Sequence, residues 1–262
     1  MAKQNLSRRA VLAGAAGSVA AAASIIPVRS QNAGRPNIVF IMADDMGYAD
    51  VSCYGRRDFT TPNIDAIAAN GMRFLQGYAN SAVCSATRTG LITGRYQYRL
   101  RLGLEEPLPA GIATIGLPPE HPTLPSLLKK AGYGTTLIGK WHLGNLPNFG
   151  PLKSGYDHFY GFRGGSIDYF GHFGTDHKHD LWNEDTEIQE AGYSTALFGQ
   201  RAVDSINAYA RERRPFFISL HFNAPHWPWE SVDDQAESDR LRDKAIQQYI
   251  LGESGTYPSA DG

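Results

Sequence analysis

The chain has 262 residues, a formal net charge of −1 and 42% hydrophobic residues, enough for one large domain with its own core. So balanced a charge supplies no global basic field, and nucleic acid is not an expected partner. Two cysteines, Cys53 and Cys84, make no disulfide framework.

The first residues read as targeting rather than fold. Lys3, Arg8 and Arg9 precede an Ala-rich apolar run from Ala10 to Ile26. Ser7-Arg8-Arg9-Ala10-Val11-Leu12 resembles a twin-arginine export signal, assigned here to residues 1–30 with cleavage after Ser30. The run is short and Ala-rich for a spanning helix, although an uncleaved membrane tether is the alternative. The expectation is a protein exported by the twin-arginine translocation machinery to a periplasmic or extracellular location. That machinery moves folded proteins, so chemistry on the chain can precede export.

After Gly34 the pattern alternates between strand and helix. Asn37 to Met42 is a short apolar run, as in a buried parallel strand. Thr61-Pro62 starts a helix that Gly71 stops. Met72 to Tyr78 reads as a strand, and Cys84 to Thr93 as a short helix. Thr123 to Lys130 is a capped helix ending at Gly132, followed by a strand from Tyr133 to Ile138. Gly161 to Asp185 is a long loop rich in Gly, His and aromatics, of the kind that is usually functional or mobile. Ser194 to Arg211 is an amphipathic helix, and Pro215 to Leu220 another buried strand. The fold class is therefore α/β, a mostly parallel sheet sandwiched by helices.

Such sheets bind ligands beyond the carboxyl ends of their strands, and three polar clusters fall there. Asp44-Asp45 follows the first strand. Oxygen ligands of this kind suit Ca²⁺ or Mg²⁺, while an isolated Asp pair can also close an Asx turn. Lys140 and His142 follow the Tyr133 strand, and His221 and His226 lie at and beyond the end of the Pro215 strand. Cys84 opens a helix on which Arg88, four residues on, shares its face. Read alone, Cys84 would be a small buried hydrophobe. His172, His177 and His179 sit in the Gly-rich loop with no cysteine beside them, a poor zinc pattern.

Cys84-Ser85-Ala86-Thr87-Arg88 resembles the signature of type I sulfatases, arylsulfatase-like members of the alkaline phosphatase superfamily. Ala86 stands where Pro is commonest. Other family-like segments follow in family order: Pro36 to Gly47, Thr61-Pro62-Asn63-Ile64-Asp65, Gly139-Lys140-Trp141-His142-Leu143-Gly144, and His226 in a Pro-His-x-Pro context. The resemblance runs from about Pro36 to Trp229. It implies hydrolysis of a small-molecule sulfate ester by a formylglycine made from Cys84 by a formylglycine-generating enzyme. The aldehyde hydrates; one hydroxyl attacks sulfur, and the other expels sulfate. It further implies Asp44, Asp45 and modified Cys84 around Ca²⁺ or Mg²⁺. Arg88, Lys140 and His226 would sit on the sulfuryl oxygens, with His142 as the base for sulfate release and His226 assisting the leaving group. Gly164 to Phe170 with Asp180-Leu181-Trp182 resembles a substrate-side insertion, with Asp168 as a substrate-binding candidate. His221 is read as structural.

The family pattern also implies a later Asp-Asn pair completing the metal site and a further Lys. Downstream of Trp229 the sequence turns polar. Asp233-Asp234 lies too close to His226, and Asp261 precedes Gly262 without the Asn. The expectation is that residues 36–262 form the N-terminal part of a sulfatase catalytic domain, incomplete at its C-terminal end. A strand would then be missing from the sheet, exposing an apolar edge. A phosphonate or phosphodiester hydrolase of the same superfamily, and a truncated non-catalytic remnant, are the competing readings.

Overall fold

The computed structural model describes residues 34–250; the expected export signal and Asp261-Gly262 lie outside them. Six strands form one sheet: β1 (Ile38–Met42), β2 (Gly134–Lys140), β3 (His158–Phe162), β4 (Trp182–Asn183), β5 (Thr186–Glu187) and β6 (Phe216–His221), in the order β1-β6-β2-β3-β4-β5. The first four in that order are parallel, and β4 and β5 turn back antiparallel. Helices are α1 (Pro62–Asn70), α2 (Cys84–Thr93), α3 (Leu124–Lys130), α4 (Ser194–Glu212) and α5 (Gln235–Ile250).

Alternation along each strand sends side chains to opposite faces, and both faces are covered over β2, β3 and β6. Leu137, Phe159 and Phe217 pack in one cluster with Ile92 of α2 and Leu128 of α3. Ile138, Tyr160 and Ile218 pack in the other with Phe198, Ala202 and Tyr209 of α4. Thr123 caps α3, accepting from the Ser126 amide at 3.1 Å while Ser126 Oγ accepts from the Thr123 amide at 2.9 Å. The registers Met42↔His221 and Gly139↔His221 bring the carboxyl ends of β1, β6 and β2 level. Gly139 is required at that point: its φ is 95°, and a Cβ there would collide with the His221 carbonyl.

Two readings of the sequence need correction, and two stretches gain structure that the sequence did not mark. Met72 to Tyr78 forms no strand. It has no ladder partner, turns at Leu75-Gln76, and leaves Met72, Phe74, Leu75 and Tyr78 exposed. The first strand is apolar but lies at the sheet edge, with Val39 42% and Ile41 53% exposed; its continuous apolar run reads the same whether or not a neighbour covers it. The loop after Gly161 is not structureless. It carries β4 and the bridges Ile167↔Gly174 and Phe173↔His179, and β5 follows directly after it. The polar stretch after Trp229 contains helix α5, supported by i,i+3 ion pairs from Arg240 to Glu237 and Arg242 to Asp239.

Candidate active site

Asp44, Arg88, Lys140 and His221 meet at the level carboxyl ends of the strands. Lys140, fully buried, places Nζ 2.5 Å from Asp44 Oδ2. Arg88 Nη2 lies 3.4 Å from Asp44 Oδ1. Desolvation pushes the Asp44 carboxyl up, but the charges of Lys140 and Arg88 outweigh it and hold its pKa below the usual carboxylate range. Two buried cations thus face one buried carboxylate. Arg88 Nη2 faces the Asp44 charge without a hydrogen bond of good geometry, and Nε has no hydrogen-bond partner among the described residues. Unpaired buried donors are costly, and this cluster has the charge excess to receive an anion.

Cys84 opens α2 at the end of the Ser81–Val83 approach, and its Sγ lies 3.2 Å from His142 Nδ1. The His142 ring is fixed on its far side, where Nε2 is 2.9 Å from the Leu108 carbonyl. A carbonyl only accepts, so Nε2 carries the hydrogen and the Nδ1 lone pair faces Cys84. Its backbone sits at φ 55°, an uncommon conformation for a residue other than glycine, held by the amide bond to the Arg163 carbonyl at 3.2 Å. Burial and then the Lys140 charge lower its pKa to about 3, so the ring is a neutral base at ordinary pH.

Asp44, Asp45, Cys84, Thr87 and Arg88 line a cavity of about 280 Å³. The sequence-derived metal candidates Asp44, Asp45 and Cys84 therefore share one space. They do not make a full set for a divalent cation: both Asp44 oxygens turn to Lys140 and Arg88, and no group of three potential ligands converges among the described residues. Six to eight oxygens is the ordinary Ca²⁺ shell. His226 stands across from Asp45, Nε2 to Oδ2 3.6 Å, with its Nδ1 2.6 Å from the Trp227 carbonyl. The Asp44 amide donates to the Ala224 carbonyl at 3.1 Å, tying the two segments together.

Asp168 is not among the groups that meet there. Only 1% exposed, it accepts from the amides of Phe170, Gly171 and Phe173 at 3.2, 2.5 and 2.7 Å. Its carboxylate ties the 168–173 loop backbone together. In the same loop His172 bonds the Gly192 carbonyl and His179 pairs with Glu187.

His221 does more than close its strand. Its Nδ1 lies 2.9 Å from Arg88 Nη1 and 3.1 Å from the Lys140 carbonyl, and its Nε2 lies 2.9 Å from Ser219 Oγ. Burial and the Arg88 charge depress its pKa to about 3. The signal was present as Ser219-x-His221, two side chains on one face of a strand, but the partner Arg88 is distant in sequence.

The chain is similar to known proteins along most of its length. The Sulfatase family model matches residues 36–251. Arylsulfatase J of Mus musculus is 35% identical over 205 residues, covering 75% of this chain and 33% of that protein. N-acetylgalactosamine-6-sulfatase of Homo sapiens is 34% identical over 212 residues, covering 74% of this chain and 40% of that protein. Among solved structures, that of Ps i-CgsB superposes with a TM-score of 0.71 at 34% identity, over 82% of this chain and 51% of that one. BT4656, in complex with its substrate D-glucosamine-2-N,6-O-disulfate, superposes with a TM-score of 0.60 at 31% identity, over 75% of this chain and 36% of that one. The chain spans 33–40% of the length of the curated relatives named here. A match of this extent, running through every segment that builds the site, makes the chain a member of the sulfatase family.

Proposed function

We propose that this site belongs to a sulfate-ester hydrolase whose nucleophile is a formylglycine made from Cys84. The observation that carries the reading is the His142 lone pair aimed at the Cys84 side chain from 3.2 Å, with the ring's other nitrogen committed to Leu108. When present, the formylglycine hydrate supplies one hydroxyl for attack on sulfur and a second whose deprotonation releases sulfate. His142 Nδ1 is placed to take that proton. Lys140 and Arg88 supply preorganised positive charge for the sulfuryl oxygens, and His226 at the cavity rim is placed to serve the leaving group. Asp44 and Asp45 supply carboxylates for a Ca²⁺ or Mg²⁺ ion, with further ligands required from outside the described residues.

The substrate class we infer is a sulfated carbohydrate. N-acetylgalactosamine-6-sulfatase and the glucosamine-disulfate complex named above support it, as does Ps i-CgsB, also solved in complex with k-i-k-neocarrahexaose. We further propose twin-arginine export with cleavage after Ser30, checked by finding Gln31 as the mature N-terminus.

The test has two parts. Mass spectrometry of the tryptic peptide Phe74–Arg88, after expression with a formylglycine-generating enzyme, should show the aldehyde at residue 84. The converted protein should release sulfate from an aryl sulfate faster than it hydrolyses an aryl phosphate diester. A residue 84 that stays a thiol beside a competent maturation enzyme overturns the nucleophile. Preference for the diester overturns the reaction.

A further inference from the structure

Behind Arg88 the hydrogen bonding continues away from the Asp44–Cys84 cavity. Ser219 and His221 stand two residues apart on β6 and so share a face of the sheet. Ser219 Oγ lies 2.9 Å from His221 Nε2, and the Tyr156 hydroxyl is hydrogen-bonded to Ser219. Tyr156 reaches in from the turn before β3. Its ring stacks on Phe217 with centroids 6.3 Å apart, and its amide donates to the Pro151 carbonyl at 3.3 Å. Together the contacts make one chain, Tyr156–Ser219–His221–Arg88, beside a cavity of about 20 Å³ walled chiefly by apolar side chains such as Phe40, Ile92 and Trp141. All four members are buried, so a hydrogen bond lost among them leaves a group unpaired at full cost.

With a neutral imidazole the hydrogens can run along this chain in two directions. In the first, Tyr156 donates to Ser219, Ser219 donates to Nε2, and Nδ1 donates to the Lys140 carbonyl 3.1 Å away. In the second, Nε2 donates to Ser219, Ser219 donates to Tyr156, and the Nδ1 lone pair faces Arg88 Nη1 at 2.9 Å. The first direction sets an N–H against a guanidinium. It also serves a carbonyl that already has a donor, Arg88 Nη1 at 3.1 Å. The second gives His221 a hydrogen bond from a charged donor, roughly twice as strong as a neutral one. The charge on Arg88 therefore decides for the second, and that direction needs an acceptor at each step: Ser219 for Nε2, and Tyr156 for Ser219.

We propose that Ser219 and Tyr156 are positioning residues for Arg88: accepting in turn, they hold His221 as the Nε2–H tautomer, and the lone pair left on Nδ1 fixes the guanidinium. Neither residue lines the Asp44–Cys84 cavity; their effect reaches an anion there only through Arg88. The inference rests on the reading of that cavity as a sulfuryl site and deepens it.

Nitrogen-15 NMR of the histidine-labelled chain reads the tautomer directly, with the His221 signals assigned by their loss in His221→Gln. Wild type should show the Nε2–H form. Tyr156→Phe keeps the stacked ring and removes only the hydroxyl. Without that acceptor Ser219 should donate to Nε2, and the ring hydrogen should move to Nδ1. Ser219→Ala, which removes the acceptor for Nε2 itself, should give the same Nδ1–H form. Titration with inorganic sulfate should then give a Kd about three- to tenfold higher in both variants than in wild type, as loss of one hydrogen bond does, with unchanged circular dichroism. An Nδ1–H ring in wild type, a ring that stays Nε2–H in both variants, or a switched ring with unchanged sulfate affinity would each overturn the proposal. A wild type that binds no sulfate and turns over no aryl sulfate would remove the sulfuryl-site reading, and the tautomers alone would then decide whether Ser219 and Tyr156 set His221.

Discussion

Arg88 Nη1 donates to His221 Nδ1 across 2.9 Å while also donating to the Lys140 carbonyl at 3.1 Å. The buried guanidinium is thereby oriented from behind by a neutral imidazole. Its orientation toward Asp44 depends on a residue in a different strand.

His221→Leu should remove that acceptor and leave a buried donor unpaired, lowering stability by about 1–3 kcal/mol. His221→Gln, which restores an acceptor, should recover most of it. In steady-state kinetics on an aryl sulfate, His221→Leu should raise KM more than it lowers kcat, because in the proposed mechanism Arg88 positions the anion. An unchanged KM with intact fold would deny His221 this positioning role.

His142→Gln should lower kcat by about 10²- to 10⁴-fold with KM nearly unchanged. The neutral ring, with its pKa near 3, gives the wild-type rate no acid limb near pH 6.5 from this residue. A kcat that titrates near 6.5 and loses that limb in His142→Gln would contradict the buried, neutral ring.

Stability should fall as pH falls from 6.5 toward 3. In the folded protein both His142 and His221 stay neutral down to about 3, whereas in the unfolded chain they take up protons below 6.5. The unfolded state then binds more protons, so acid favours it, by about 1.4 kcal/mol per pH unit for each ring. Asp180 acts in the opposite sense, because desolvation raises its pKa to about 6 and the folded state holds its proton more firmly. It offsets about one ring between pH 6 and 4, leaving a net slope of about one proton. Denaturant midpoints measured from pH 7 to pH 4 should show that slope, and His221→Gln should flatten it.

Asp168→Ala should unfold the 168–173 turn, costing about 2 kcal/mol or more through three lost amide acceptors. The KM for a small aryl sulfate should not move. A raised KM in a protein of normal stability would return Asp168 to the substrate-binding role that its loop suggested in the sequence.

The β1 edge is a solubility liability of the kind that unpaired strands present. Ile41→Lys should reduce concentration-dependent light scattering at little cost in melting temperature, since Ile41 is 53% exposed. A loss of several degrees would mean the side chain is covered in solution.

The elements that carry chemistry were readable because each has a local mark. Cys84 and Arg88 are i,i+4 on one helix, Lys140 and His142 follow an apolar run, and Asp44-Asp45 follows another. Parallel alternation then places all three at one end of the sheet. Burial was less legible: the run Ile38–Met42 looks alike at an edge and at a centre. Met72 to Tyr78 has strand-like residues but no neighbour to pair with, and helix α5 hides in a polar composition because, among the described residues, it buries only small side chains such as Ser238 and Ala245. The roles of Asp168 and His221 depend on amides and a guanidinium that only the folded chain brings near.

β6 stands between β1 and β2 and pairs with both, which gives the site an order of assembly in time. Asp44 and Lys140 cannot come within 2.5 Å of each other until Phe216–His221 has been synthesised and inserted, a late, long-range closure. Through that interval Arg88 has neither Asp44 nor His221 to hold it, and Cys84 lies on a helix whose site-facing side is still open. In the proposed formylglycine route, a maturation enzyme that needs an accessible peptide would find residue 84 most open before β6 docks.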